Sequence, residues 1–72
     1  NLNYKSKVIE WAQREGKEIR FEITEVRKGK MGKEFSAQVF IADQAYGKGF
    51  GFTKKKAEQD AAEKTNAMLT VS

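Results

Sequence analysis

The chain contains no cysteine, no histidine and, across all 72 residues, no proline. Without cysteine there are no disulfides and no thiolate chemistry; without histidine, neither imidazole metal ligation nor imidazole acid–base catalysis is available. Without proline, repeats or low-complexity tracts, no internal linker is visible. Long apolar runs are missing too: the longest, Val39 to Ala42, is far below the ~20 residues of a membrane span. No signal-peptide pattern opens the sequence. A chain that starts at Asn1 rather than Met is expected to be a domain of a longer protein. Its length leaves room for one small domain, residues 1–72, burying roughly 60% of its unfolded surface.

What is abundant is charge, and it is unevenly placed. Fourteen Lys+Arg against ten Asp+Glu give +4. Residues 1–26 are neutral and residues 57–72 are acidic. The segment 27–56 carries Arg27, Lys28, Lys30, Lys33, Lys48, Lys54, Lys55 and Lys56 against only Glu34 and Asp43. A central basic block between neutral and acidic flanks is either a patch facing a polyanion or an ordinary solvated surface; charge alone does not separate the two.

Periodicity orders the chain. Asn3 can cap a helix whose inward face is Tyr4, Val8, Trp11 and Ala12, with Gly16 as its stop and Ile9 at the edge of the core. From Glu18 the period becomes 2: Ile19, Phe21 and Ile23 alternate with polar residues, as in a strand with one buried face. Arg27 to Lys33 reads as a glycine-containing basic loop. Phe35, Ala37, Val39 and Ile41 form the inward face of a second strand, with Phe40 outward, and Ala42-Asp43-Gln44 is short enough for a hairpin turn. A third strand, Ala45 to Phe52, sets Ala45, Gly47, Gly49 and Gly51 on one side. Glycine weakens a strand unless another backbone comes close. A final helix, capped by Thr53 and facing inward with Ala57, Ala61, Ala62, Thr65, Met68 and Leu69, supplies that backbone. The expected fold is α+β: α-β-β-β-α, a three-stranded antiparallel sheet covered on one face by two helices.

One place contradicts local rules. Lys54, Lys55 and Lys56 fill the first turn of the final helix, the pole where the macrodipole disfavours cations. Free N–H groups at a helix start suit phosphate, and adjacent lysines add charge. Three lysines splayed into water would cost only some tenths of a kcal/mol, so a solvated turn is the competing reading. Nothing points to catalysis: Glu22 and Glu25 lie in or near a strand with no His or Asp companion, Glu58, Asp60 and Glu63 are expected to face solvent on the helix, Gly47-Lys48-Gly49-Phe50-Gly51 lacks the dinucleotide-loop spacing, and there is no P-loop.

Two families that bind RNA have motifs here. Lys48-Gly49-Phe50-Gly51-Phe52 matches the first five positions of the RNP1 pattern of RNA-recognition motifs, whose strand aromatics stack on single-stranded bases. The match then breaks at Thr53 and Lys55. That fold also opens with a strand and closes with a fourth, whereas only Thr70-Val71-Ser72 follow the last helix here. Over nearly its full length the chain instead resembles the double-stranded RNA-binding domain. That family's signature, a glycine-rich strand running into G-x-G-x-S/T-K-K-x-A-x-x-x-A-A, reads here as Gly49-Phe50-Gly51-Phe52-Thr53-Lys54-Lys55-Lys56-Ala57-Glu58-Gln59-Asp60-Ala61-Ala62. The opening Asn3-Tyr4-Lys5-Ser6, followed by Glu10 and Gln13, is similar to the first helix of the C-terminal domain of bacterial ribonuclease III.

The resemblance implies a three-point grip on an A-form duplex. Ser6, Glu10 and Gln13 would meet 2′-hydroxyls in one minor groove. Lys28, Lys30 and Lys33 would reach the next minor groove, and Thr53, Lys54, Lys55 and Lys56 the phosphates between them. The chain departs from the family pattern in three ways: no Pro-His pair lies in the β1–β2 loop, Glu58 stands where a third lysine is frequent, and Ile9 replaces a common polar residue. Double-stranded RNA is thus the expected partner, with no catalytic residue and no cofactor within this segment. A parent ribonuclease III would carry the nuclease domain, its Mg2+, any homodimer contact, rRNA processing and a cytoplasmic location. Two alternatives remain at this point: single-stranded RNA binding by an aromatic strand, and protein pairing through Phe40 and Ile9 without RNA.

Overall fold

The computed structural model describes residues 3–70; Asn1, Leu2, Val71 and Ser72 lie outside it. The elements follow the expected order: α1 (Tyr4–Arg14), β1 (Ile19–Gly29), β2 (Gly32–Ile41), β3 (Gln44–Gly51) and α2 (Lys54–Thr70). The sheet is antiparallel in the order β1-β2-β3. The Asn3 side chain accepts the Ser6 N–H at 3.2 Å and so caps α1. At the other end Gly16, at φ +66°, lets its own N–H reach Gln13 O and the Lys17 N–H reach Ala12 O, a pair that satisfies the last carbonyls. The two-residue turn Ala42-Asp43 joins β2 to β3 with both residues at positive φ, the geometry that matches strand twist.

Register explains where alternation fails. Ile19, Phe21 and Ile23 stand opposite Ile41, Val39 and Ala37, and these pairs form the inward face. Thr24 is then an extra residue in β1, because Ile23 pairs Ala37 and Glu25 pairs Ser36. The bulge reverses the parity, so Val26 and Lys28 join the face of Phe35 and Lys33. A second bulge places Tyr46 and Gly47 opposite Val39. The Gln38 amide donates to the carbonyls of Tyr46 and Gly47, each at 3.0 Å, and so satisfies the irregular stretch. This bulge turns Ala45, expected to face a helix, into an exposed residue paired with Phe40 on the outer side.

The glycine strand meets α2 as its spacing implies. A Cβ on Gly49 would lie 2.1 Å from Ala61 N, and one on Gly47 2.5 Å from Ala61 O. Thr65, fully buried on α2, accepts the Gly47 N–H at 2.9 Å and donates to Ala61 O at 2.8 Å. The core is Ala37, Val39, Ile41, Ala57 and Ala61, with Trp11, Phe21, Phe35, Tyr46 and Leu69 packed around it. Two expectations are corrected. Met68 is half-exposed: it is on the inward stripe by angle but lies in the last turn of α2, past Thr65, which meets Gly47. Arg27 to Lys33 is not a loop: pairing continues through Arg27–Glu34, Lys28–Lys33 and Gly29–Gly32, leaving only Lys30-Met31 as the turn.

Candidate nucleic-acid interface

β3 ends at Gly51, opposite Phe35, while β1 and β2 continue to Gly29 and Gly32. The β1–β2 hairpin therefore projects past the third strand as a two-stranded ribbon. Because β3 runs toward that same end, α2 begins beside the base of the ribbon. Phe52 accordingly lines one shallow depression with Arg27, Lys28, Lys30, Met31 and Glu34. Lys5 of α1 touches Glu58 and Gln59 of α2, and Glu10 and Arg14 share a groove with Asn66 and Leu69. The two helices thus run side by side in the same direction, and both start at the ribbon end.

At this end six lysines form no ion pair among the described residues, while Lys5 and Arg27 do. Thr53 Oγ1 accepts the Lys56 N–H at 3.0 Å and Thr53 O the Ala57 N–H at 3.0 Å, so the Thr53 side chain is used as a helix cap. Among the described residues, the ion pairs are Lys5–Glu58, Arg20–Glu22, Arg20–Asp43, Arg27–Glu25 and Lys64–Asp60. None involves Lys28, Lys30, Lys33, Lys54, Lys55 or Lys56. Lys28 stands directly opposite Lys33 on the helix-bearing face, a like-charge pair that is itself destabilising. Lys30 sits in the turn beside Met31, which is 87% exposed. Sequence reading missed this facing pair because it took the segment for a loop; the Gly29-x-x-Gly32 spacing between Arg27 and Glu34 was the available signal.

All ten expected contact residues are exposed. Ser6 lies at the ribbon end, in the first turn of α1. Glu10 follows on the outward face at the groove with α2, and Gln13 lies farther off, beside Lys17, Glu18 and Asp43 near the β2–β3 turn. The structure thus brings together the hairpin lysines, the α2 lysines and Ser6, and strings Glu10 and Gln13 along the outward face of α1. Ten exposed polar groups spread over the ribbon, the start of α2 and the outward face of α1 suit a broad charged surface. Among the described residues no three acidic side chains converge to hold a metal ion, and no helix is long and apolar enough to cross a membrane.

Nothing among the described residues favours the two competing readings. Phe40 is half-buried under the Arg20 guanidinium, which lies 4.4 Å from the ring centroid and is itself paired with Glu22 and Asp43. Phe50 is 49% exposed, yet the Lys64 ammonium lies 5.5 Å from its ring centroid. The described residues hold three strands behind an opening helix, not the four strands of an aromatic RNA-reading sheet.

Comparison with known proteins agrees. The profile of the double-stranded RNA binding motif matches residues 4–69. Ribonuclease 3 of Phytoplasma mali (strain AT) is 45% identical over 62 residues, taking in 86% of this chain and 28% of that protein. Ribonuclease 3 of Oceanobacillus iheyensis is 41% identical over 72 residues, with 99% of this chain and 31% of that protein covered. Ribonuclease 3 of Bacteroides fragilis (strain YCH46) is 38% identical over 65 residues, or 89% and 22%. The chain thus spans less than a third of the length of these relatives. With the match running from the start of the first helix almost to the end of the last, the chain belongs to the double-stranded RNA binding motif family.

Proposed function

We propose that the chain holds double-stranded RNA for a ribonuclease III, binding by duplex shape and backbone charge rather than by sequence. The observation that carries this reading is the gathering, at one end of the molecule, of six lysines that form no ion pair among the described residues: three on the ribbon and three in the first turn of α2. The Lys54, Lys55 and Lys56 ammonium groups, beside the opening N–H groups of α2, meet phosphates across the major groove. Lys28, Lys30 and Lys33 carry the ribbon tip to one minor groove, and Ser6, Glu10 and Gln13 offer donors and acceptors to 2′-hydroxyls in another, over ~16 base pairs. Hydrolysis of the duplex, the Mg2+ it needs, dimerisation and a role in processing ribosomal RNA in the cytoplasm are assigned to a nuclease domain joined to this one.

Gel shifts with duplex RNA, single-stranded RNA and duplex DNA test the reading. Duplex RNA is expected to bind tightest; a preference for single strands would refute it. Replacing Lys54 and Lys55 by alanine is expected to weaken binding to every duplex alike and to flatten the plot of log affinity against log salt by about 2 units. An unchanged slope would remove both lysines from the interface.

A further inference from the structure

Among the described residues, Lys5 is the one basic residue at the ribbon end that is neutralised by the opposite helix. Its ammonium lies 2.6 Å from Glu58 Oε1 and 5.0 Å from the centroid of the Phe21 ring, and its backbone N–H donates to Gln59 Oε1 at 2.9 Å. Glu58 keeps only 19% of its side chain exposed, which strengthens the pair relative to a solvated one. These contacts join the first turn of α1 to the second turn of α2. Ser6 follows Lys5 directly, and Lys54 and Lys55 stand four residues before Glu58 and Gln59, on the same sides of their helix.

We propose that Lys5, Glu58 and Gln59 form a strap that sets the spacing between the minor-groove contacts of α1 and the phosphate contacts of α2, making Lys5 and Glu58 positioning residues for duplex recognition. The proposal rests on the binding mode given above. Two contact regions on a rigid frame engage a duplex as one event, because the second contact forms at high effective concentration once the first is made. A loosened frame loses that gain even with every RNA-touching residue in place. The strap also accounts for a carboxylate inside a basic surface: Glu58 is occupied by Lys5 and therefore repels phosphate weakly.

Charge and spacing predict opposite signs, which makes Glu58→Gln decisive. Removing one negative charge raises the net charge, so a purely electrostatic surface would bind duplex RNA more tightly. The strap predicts weaker binding, by roughly three- to tenfold on a duplex of about 24 base pairs. The 72-residue chain would be titrated with that duplex and with one of about 8 base pairs, too short for both contact regions, at a temperature where circular dichroism shows each variant folded. The ratio of the two affinities should fall in Glu58→Gln and in Lys5→Gln, fall no further in the double variant, and recover in Lys5→Arg. Local loosening without a positioning role would leave that ratio unmoved. Equal or tighter binding of the long duplex by Glu58→Gln, or fully additive losses, would overturn the strap. Loss of duplex preference in the unaltered chain would instead overturn the binding mode itself.

Discussion

At Asp60, burial alone would push the carboxyl up. The Phe50 N–H at 2.9 Å and the Lys64 ammonium at 3.0 Å outweigh it and hold the group below its ordinary range. A carboxyl lowered in the folded state stabilises that state when ionised; the contribution is complete above the unfolded value and fades as pH falls through the folded one. Stability is therefore expected to decline from about pH 4 downward. Asp60→Asn should be less stable near neutrality by under about 1 kcal/mol, given its partial exposure, with the gap closing in acid. Thermal melts from pH 6 to pH 2 check this, and a gap that stays constant with pH would contradict it. Ala42 shows the opposite economy. Its φ of +50° lies where an alanine Cβ is crowded, so Ala42→Gly should raise stability by about 0.5–1 kcal/mol in a denaturant titration. At this scale the sequence was legible wherever a residue type has one dominant use: Asn3 and Thr53 as caps, Gly16 as a stop. It was silent on Lys5, because an ion pair across 53 positions leaves no local pattern.

Elements were read well where one periodicity held and poorly where a bulge interrupted it. Ile19, Phe21 and Ile23 announced β1, but Thr24 shifts the strand by one residue, so the continuation through Val26 and Lys28 no longer alternated in the expected phase. The same cause hid Ala45. The glycine strand was the most informative element, since its weakness as a strand demanded a close neighbour and α2 is that neighbour. Gly49→Ala is expected to cost about 1–3 kcal/mol or more, lowering the melting temperature by roughly 4–8 °C per kcal/mol, because Ala61 and Asp60 backbone atoms cannot yield as a side chain would. The ribbon behaves differently. Lys28 and Lys33 on its outer rungs are exposed, so Lys28→Ala with Lys33→Ala should leave the melting temperature unchanged or raise it slightly by removing a like-charge pair, while weakening duplex binding.

For the molecule as a whole, two layers 18 Å deep in the thinnest direction carry the candidate contacts on the hairpin ribbon, the start of α2 and the outward face of α1, while the core remains small and apolar. That separation made fold and function class legible together: the basic block 27–56 coincides with the ribbon and the start of α2, which the strand register brings to one end. What composition could not supply was the division of labour within the block, with Lys48 on the outer sheet face and Thr53 spent as a cap.

The seating of α2 on three glycines has a last consequence. With a steric stop at Gly47, Gly49 and Gly51, the helix has no room to slide or roll on the strand, so its opening lysines inherit their placement on the sheet from this close backbone packing, and the Lys5–Glu58 strap is left to set where α1 stands beside them. Heating should accordingly release bound duplex in step with cooperative melting and not ahead of it.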